Sequence, residues 1–122
     1  MRSGNSDEIA SGPSGSSYVA SVRELVRTLL PHGYPSVART AAALGASVRT
    51  LQRRLLASGI SYGRIVEEVR LDKARQLLEE TTMPLHDIAT ALGYSQPASL
   101  SRLVARNTGK PPSALRKELQ RL

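Results

Sequence analysis

The stretch AAALGASVRTLQRRL, residues 41–55, returns later in the chain as ATALGYSQPASLSRLV, residues 89–104. Both copies contain Ala-x-x-Leu-Gly-x-Ser, at an offset of 48 positions, and then Leu-x-Arg-x followed by Leu or Val, at an offset of 49. Each copy predicts a helix, a short glycine turn and a second helix. A small Ala lets the two helices approach closely, and an apolar residue in the second helix fixes their crossing angle. Each copy therefore has the outline of a helix-turn-helix.

An ordinary hairpin of two helices has the same packing requirements, so one copy alone leaves both interpretations open. Two copies favour the helix-turn-helix, because each begins its second helix with a predicted Ser N-cap, Ser47 or Ser95, and each places arginine on that helix. Such units place their second helix in the major groove of DNA.

The rest of the sequence also predicts helices. Apolar residues recur at helical spacing, and no stretch alternates apolar and polar residues long enough for a strand, so the predicted fold class is all-α. We expect seven helices, arranged as two homeodomain-like three-helix subdomains joined by a long linker helix. The predicted ranges are about 36–58 for the first helix-turn-helix, 61–80 for the linker helix and 84–108 for the second helix-turn-helix.

Length and composition limit the possible classes of protein. A chain of 122 residues supports one domain or two small subdomains. Residues 1–17 are rich in Ser and Gly, so we expect a disordered leader or tag remnant there and a folded domain over 18–122. The chain has no Cys and two His, so we predict no metal site and no cofactor. No apolar run approaches the ~18 residues of a membrane span, so we expect a cytoplasmic protein without membrane contact.

The sequence does not predict an enzyme. It has no glycine loop for binding phosphate and no nucleophile beside a base, so no catalytic residue can be named. His86 and Asp87 are neighbours, but adjacent helix positions point about 100° apart, and this spacing does not predict a catalytic pair.

The placement of charge favours a polyanionic partner. Residues 18–122 contain 16 basic and 8 acidic side chains. The linker helix balances its charges, whereas the second helix of each repeat carries arginine and no acidic residue. Phosphate neutralisation requires cations that face one partner, so this distribution predicts contact with double-stranded DNA.

Helix geometry selects the side chains expected to contact DNA. In the first unit Arg49, Gln52 and Arg53 share one face, with Leu51, Leu55 and Leu56 directed toward the core. Arg fits guanine O6 and N7, and Gln fits adenine N6 and N7. In the second unit the outward set is Pro97, Ala98, Ser101 and Arg102, which predicts weaker base discrimination. The residues expected to contact phosphates are Ser47, Arg54, Ser95, Arg106 and Lys110. For Arg106 an internal ion pair, with Asp87 or Glu118, is the alternative.

These motifs resemble the AraC/XylS family of bacterial transcription regulators over about residues 18–120. SVRTLQRRL at 47–55 is similar to the first recognition helix of that family. VRL at 69–71 with ARQLL at 74–78 is similar to its linker helix. IATALGYS at 88–95 and TGKPP at 108–112 are similar to its second helix-turn-helix and the signature that follows.

The resemblance implies a bipartite fold with both recognition helices on one face of the DNA, and base contacts from Arg49, Gln52, Arg53 and Arg102. It also implies RNA polymerase as a partner of the full-length regulator and an effector-binding domain outside these residues. We therefore expect an excised domain, with a short stand-alone regulator as the alternative. The family usually has Phe where Leu100 and Val104 stand and often a basic residue at Ala105. A helical protein-interaction module is the alternative function. It would account for the amphipathic helices but not for the arginine faces.

Overall fold

The computed structural model describes residues 15–121, and this part of the chain is helical. The described range contains seven α-helices and one 3-10 turn, and it has no strand. In chain order the elements are α1 (Gly15–Leu29), the 3-10 turn (Leu30–His32), α2 (Val37–Ala43), α3 (Val48–Ala57), α4 (Tyr62–Glu80), α5 (Leu85–Ala91), α6 (Pro97–Thr108) and α7 (Pro112–Gln120). The predicted all-α fold with seven helices is confirmed.

The first helix begins earlier than the sequence pattern suggested. Residues 1–14 of the expected leader lie outside the described residues, but α1 starts at Gly15 and includes the last three leader positions. The Ser21 hydroxyl donates to the Ser17 carbonyl at 3.1 Å, one turn back. Buried Val22 and Val26 hold the helix through packing, so polar residues can extend its first turn.

The chain divides into two compact units, and each contains one of the repeated helix pairs. Unit 1 comprises residues 15–26 and 36–66, with the pair α2 and α3. Unit 2 comprises residues 27–35 and 67–121, with the pair α5 and α6. Helix α4 occupies the range expected for the linker helix, and its residues 62–66 belong to unit 1 while 67–80 belong to unit 2.

Serine side chains begin three helices, as the sequence predicts for Ser47. Ser36, Ser47 and Ser61 each accept a hydrogen bond from the backbone N–H three residues later, at 3.1 Å in every case. These N–H groups lie in the first turn and have no partner within the helix, so each serine satisfies one of them.

The prediction that Ser95 caps α6 is wrong. The N-cap is Gln96, at φ −137° and ψ 137°, and it makes no side-chain capping bond. The cause is Pro97, whose ring presets the first helical residue and confines the residue before it to extended backbone. The second copy of the repeat has one residue more than the first between its glycine and its second helix, so the serines do not occupy equivalent positions.

Each unit has its own apolar core. Side chains with an exposed fraction of 2% or less in unit 1 are Val22, Val26, Ala41, Leu51, Leu55, Ile65 and Val66. A buried hydrogen bond of 2.8 Å also joins the Thr40 hydroxyl to the Tyr62 hydroxyl. The corresponding side chains of unit 2 are Leu30, Val69, Ala74, Leu78, Ile88, Ala89, Leu92, Leu100, Leu103 and Val104. Leu100 and Val104 thus fill the positions where a larger side chain is usual in the family that the sequence resembles.

Candidate nucleic-acid interface

Helix α3 presents the predicted polar face to solvent. Arg49, Gln52 and Arg53 are all exposed, while Leu51 and Leu55 are buried in unit 1. The Ser47 cap fixes where the helix begins, and the two leucines fix its rotation about its axis. The three polar side chains are therefore held on one surface, as the spacing predicts.

Leu56 does not pack in the core, so that part of the prediction is wrong. Its exposed fraction is 76%. Leu55 points inward, and the next residue on a helix is rotated by about 100°. Seven positions after Arg49, Leu56 comes back to the same side as that arginine. The polar face of α3 therefore ends in an exposed apolar side chain.

Helix α6 exposes the predicted set in unit 2. Pro97, Ala98, Ser101 and Arg102 are exposed, opposite the buried Leu100, Leu103 and Val104. The Arg102 guanidinium donates to the Ser99 hydroxyl at 3.3 Å, one turn earlier on the same helix. Only Arg102 in this set is charged, so this face offers fewer strong hydrogen-bond donors than α3.

The residues expected to contact phosphates make several local contacts. The Ser47 hydroxyl accepts from the Thr50 N–H and donates to the Thr50 hydroxyl, at 3.1 Å each. The Arg54 guanidinium carbon lies 5.0 Å from the centre of the Tyr18 ring, a cation–π contact within unit 1. Ser95 is exposed.

Both cations near the end of α6 are paired with carboxylates. Arg106 Nε lies 3.1 Å from Glu67 Oε2, and that oxygen also accepts from Asn107 at 3.1 Å. The expected alternative of an internal pair for Arg106 is thus realised, but with α4 instead of Asp87 or Glu118. Lys110 pairs with Glu118, and its hydrogen bond and positive charge lower the pKa of the Glu118 carboxyl. Arg106 is 57% and Lys110 is 43% exposed, so both remain accessible to solvent.

The two units differ strongly in charge. Unit 1 contains six arginines and one acidic residue, Glu24, within its described residues. The described part of unit 2 contains ten basic and seven acidic residues. The positive charge available to a polyanion is therefore less compensated in unit 1.

The structural roles of two buried or half-buried arginines were not predicted from the sequence. Arg70 on α4 is 7% exposed and donates to backbone carbonyls at the end of α5. Arg116 on α7 donates to three carbonyls near the end of α4, those of Leu77, Leu78 and Met83. For Arg70 the sequence holds a signal, since it lies four positions from both Val66 and Ala74, on the buried stripe of α4.

His86 and Asp87 are closer than their spacing suggested. His86 Nδ1 lies 3.4 Å from Asp87 Oδ1, although the two side chains are 74% and 59% exposed. In the range 15–121 no three His, Cys, Asp or Glu residues are grouped so as to hold a metal ion. Within that range, no helix has the length and apolar character needed to cross a membrane.

Comparisons with known proteins agree with this geometry. The profile of a family described as a helix-turn-helix domain matches residues 40–118. The HTH-type transcriptional regulator VqsM of Pseudomonas aeruginosa is 37% identical over 93 residues, which are 76% of this chain and 29% of the relative. This chain thus spans less than a third of that relative.

Two solved structures have a similar fold. A DNA-binding transcriptional dual regulator from Escherichia coli K-12 superposes with a TM-score of 0.79 at 20% identity, over 86% of this chain and 94% of that one. The DNA-binding domain of AdpA, solved in complex with a target DNA, gives 0.70 at 26% identity, over 84% of this chain and 93% of that one. The first shows that this chain has the same fold, and the second is a similar domain that was solved with DNA bound.

Proposed function

We propose a mode of DNA recognition for this chain, which belongs to the AraC-type helix-turn-helix family of transcription regulators. It binds double-stranded DNA in a sequence-specific way, with α3 and α6 as recognition helices in adjacent segments of the major groove. The observation that carries this proposal is the face of α3, where Arg49, Gln52 and Arg53 are exposed on a helix without acidic residues.

In this proposal the α3 side chains read bases. Arg49 and Arg53 can each donate two hydrogen bonds to guanine, and Gln52 can pair with adenine in the same bidentate way. The six arginines of unit 1 add attraction to the phosphates of any duplex. Unit 1 therefore supplies most of the base discrimination, together with an attraction to any duplex that is opposed by only one acidic residue in its described part.

Helix α6 makes the weaker base contacts. Arg102 donates to a base edge, Ser101 offers a hydroxyl, and Pro97 and Ala98 give apolar contacts to thymine methyl groups. The phosphate contacts come from Ser47, Arg54, Ser95, Arg106 and Lys110, and the last two first exchange a carboxylate partner for a phosphate. Exposed ion pairs such as Lys110–Glu118 contribute little to stability, so that exchange costs little. Glu67 is half-buried, and it keeps its bond from Asn107 when Arg106 turns to a phosphate.

A single chain binds both segments. It contains both recognition helices, and the 19 residues of α4 span about 28 Å, comparable with the ~34 Å of one turn of DNA. The two half-sites are then about one turn apart and unlike in sequence. A palindromic site bound only by a symmetric dimer would contradict this part of the proposal.

Selection from a random duplex pool, followed by fluorescence anisotropy at several salt concentrations, tests the function. We expect a preferred site with two unlike parts and, on random DNA, a log–log salt dependence with a slope of about −0.9 for each phosphate contact. Binding that is independent of salt, with no enriched site, would favour the alternative of a protein-interaction module.

The relative VqsM is more than three times as long as the segment that matches this chain, so we also propose what a longer regulator would do. A separate domain would bind an effector, and the full-length protein would act on RNA polymerase in the cytoplasm, where bacterial promoters are located. Comparing transcription from a template that carries the selected site, with the full-length protein and with residues 15–121, would test whether the additional domain is required.

A further inference from the structure

One buried arginine of unit 2 holds the turn between α5 and α6. Arg70 Nε donates to the Leu92 carbonyl at 2.8 Å, and Arg70 Nη2 donates to the Gly93 carbonyl at 3.3 Å. Leu92 is the C-cap of α5, and α6 begins four residues after Gly93. A side chain from α4 thus fixes the segment that leads into the second recognition helix.

Two tyrosine rings complete the environment of this guanidinium. Its central carbon lies 3.9 Å from the centre of the Tyr94 ring and 5.2 Å from that of Tyr34. Tyr94 follows Gly93 directly, so the turn contacts Arg70 through its backbone and through its aromatic side chain. Cation–π contact and the partial negative charge of helix-terminal carbonyls both favour a buried cation here.

The chemistry of this site requires arginine. A buried guanidinium must satisfy its donors, and its planar fork can reach two carbonyls while its face stacks on a ring. Lysine has a point charge without a face, so it can replace one hydrogen bond but not the stacking.

A second segment of unit 2 also approaches Gly93 closely. A Cβ at this position would lie 2.6 Å from the Leu30 carbonyl oxygen and 2.7 Å from that of Gly33. The equivalent Gly45 of unit 1 has no atom within 4 Å of such a Cβ. The turn of unit 2 is therefore approached closely both by α4 and by the segment of the 3-10 turn, and we call this arrangement the clamp.

We propose that Arg70 is a positioning residue for DNA recognition by α6. It contacts no DNA, but its hold on the Leu92 and Gly93 carbonyls sets the direction in which α6 leaves the turn. The inference rests on the proposed function, since it concerns the base pairs that α6 reads. Because α6 has few base-reading side chains, small changes in its direction should remove much of its discrimination.

The test uses two variants of the positioning residue, Arg70→Met and Arg70→Lys. The matched control is Arg116→Met. Arg116 also donates to backbone carbonyls within unit 2, but at the end of α4, so its loss destabilises the unit without touching the α5–α6 turn. Each protein is titrated against the selected duplex and against duplexes with single substitutions in either half-site, below its unfolding temperature.

We expect Arg70→Met to lower the ratio of mismatched to matched Kd in the α6 half-site by about fivefold or more, with the ratios of the α3 half-site unchanged. Arg70→Lys should recover part of this ratio. Arg116→Met should leave both sets of ratios unchanged. Equal ratios for Arg70→Met and the wild-type protein, or equal losses in Arg116→Met and Arg70→Met, would overturn the inference.

Amide hydrogen exchange gives a second readout that needs no DNA. The Gly93 and Tyr94 N–H groups donate to Thr90 and Ala89 carbonyls at 3.0 Å each, within this turn. They should exchange faster in Arg70→Met but not in Arg116→Met, and unchanged exchange in both would refute the clamp. If the wild-type protein shows no site preference, the proposed function fails and the inference with it, whatever the exchange rates.

Discussion

The glycines of the two repeated turns offer a matched pair of substitutions. Gly45 and Gly93 have similar φ angles, 69° and 82°, and both lie just after the first helix of their repeated pair. They differ in the space around them, because a Cβ would be free at Gly45 and would meet backbone atoms at Gly93. Gly45→Ala and Gly93→Ala therefore separate conformational strain from steric clash.

The expected costs follow from these two terms. Left-handed backbone costs a non-glycine residue about 1–2 kcal/mol, and this is the whole cost for Gly45→Ala. Gly93→Ala adds an overlap with Leu30 and Gly33 backbone atoms at 2.6 to 2.8 Å. Overpacking of this kind typically costs about 1–3 kcal/mol more. Gly93→Ala should therefore lower the free energy of unfolding by about 2–5 kcal/mol in all.

Urea unfolding followed by circular dichroism measures both values. Gly63→Ala is a control of opposite sign, because Gly63 lies in helix α4 with open space around it, and alanine there should stabilise by up to about 1 kcal/mol. A loss for Gly93→Ala that is no larger than that for Gly45→Ala would refute the close approach of the turn to the 3-10 segment.

Three further predictions concern the interface and the core. Arg53→Ala should weaken binding to the selected site by ~1–3 kcal/mol and relax one base pair, and Ser101→Ala should cost less in the same titration. Lys110→Ala should make the salt slope shallower by about one unit on specific and random DNA alike, whereas an unchanged slope would remove Lys110 from the contacts. Thr40→Val should cost about 0.5–1.5 kcal/mol in urea unfolding, because it removes the 2.8 Å bond to the Tyr62 hydroxyl, which keeps a longer bond to the Ser36 carbonyl.

Local features of the fold were predictable from the sequence because their causes are local. Ser36 and Ser47 cap helices through bonds to residues three positions away, and Gly45 takes the positive φ that a turn requires. The apolar stripe of α3 likewise fixed which arginines face outward. The prediction that Ser95 caps α6 was wrong for a local reason too. Pro97 restricts the backbone of the residue before it, so Gln96 is the N-cap although the two repeats are similar in sequence.

Features that depend on distant partners were not predictable. Arg70 looked like one charge in a balanced helix, and its carbonyl partners lie more than twenty positions away. Arg106 was expected to face a phosphate or to pair with Asp87 or Glu118, but its partner Glu67 is 39 positions earlier. Spacing along one helix says which side chains share a face, but not which element covers that face.

The two units therefore differ in how they would contribute to DNA recognition. In the proposed interface unit 1 supplies most of the side chains that read bases. Its described part contains one acidic residue, and no atom lies within 4 Å of a Cβ built at Gly45. In the same proposal unit 2 supplies fewer such side chains, and its arginines Arg70 and Arg116 donate to backbone carbonyls within the unit. An arginine engaged in this way is withdrawn from the DNA, which reduces the electrostatic attraction of unit 2 but fixes the geometry of its recognition helix. Few and weak base contacts discriminate between bases only when the helix that carries them keeps a fixed direction. The clamp therefore compensates for the smaller number of base-reading side chains on α6.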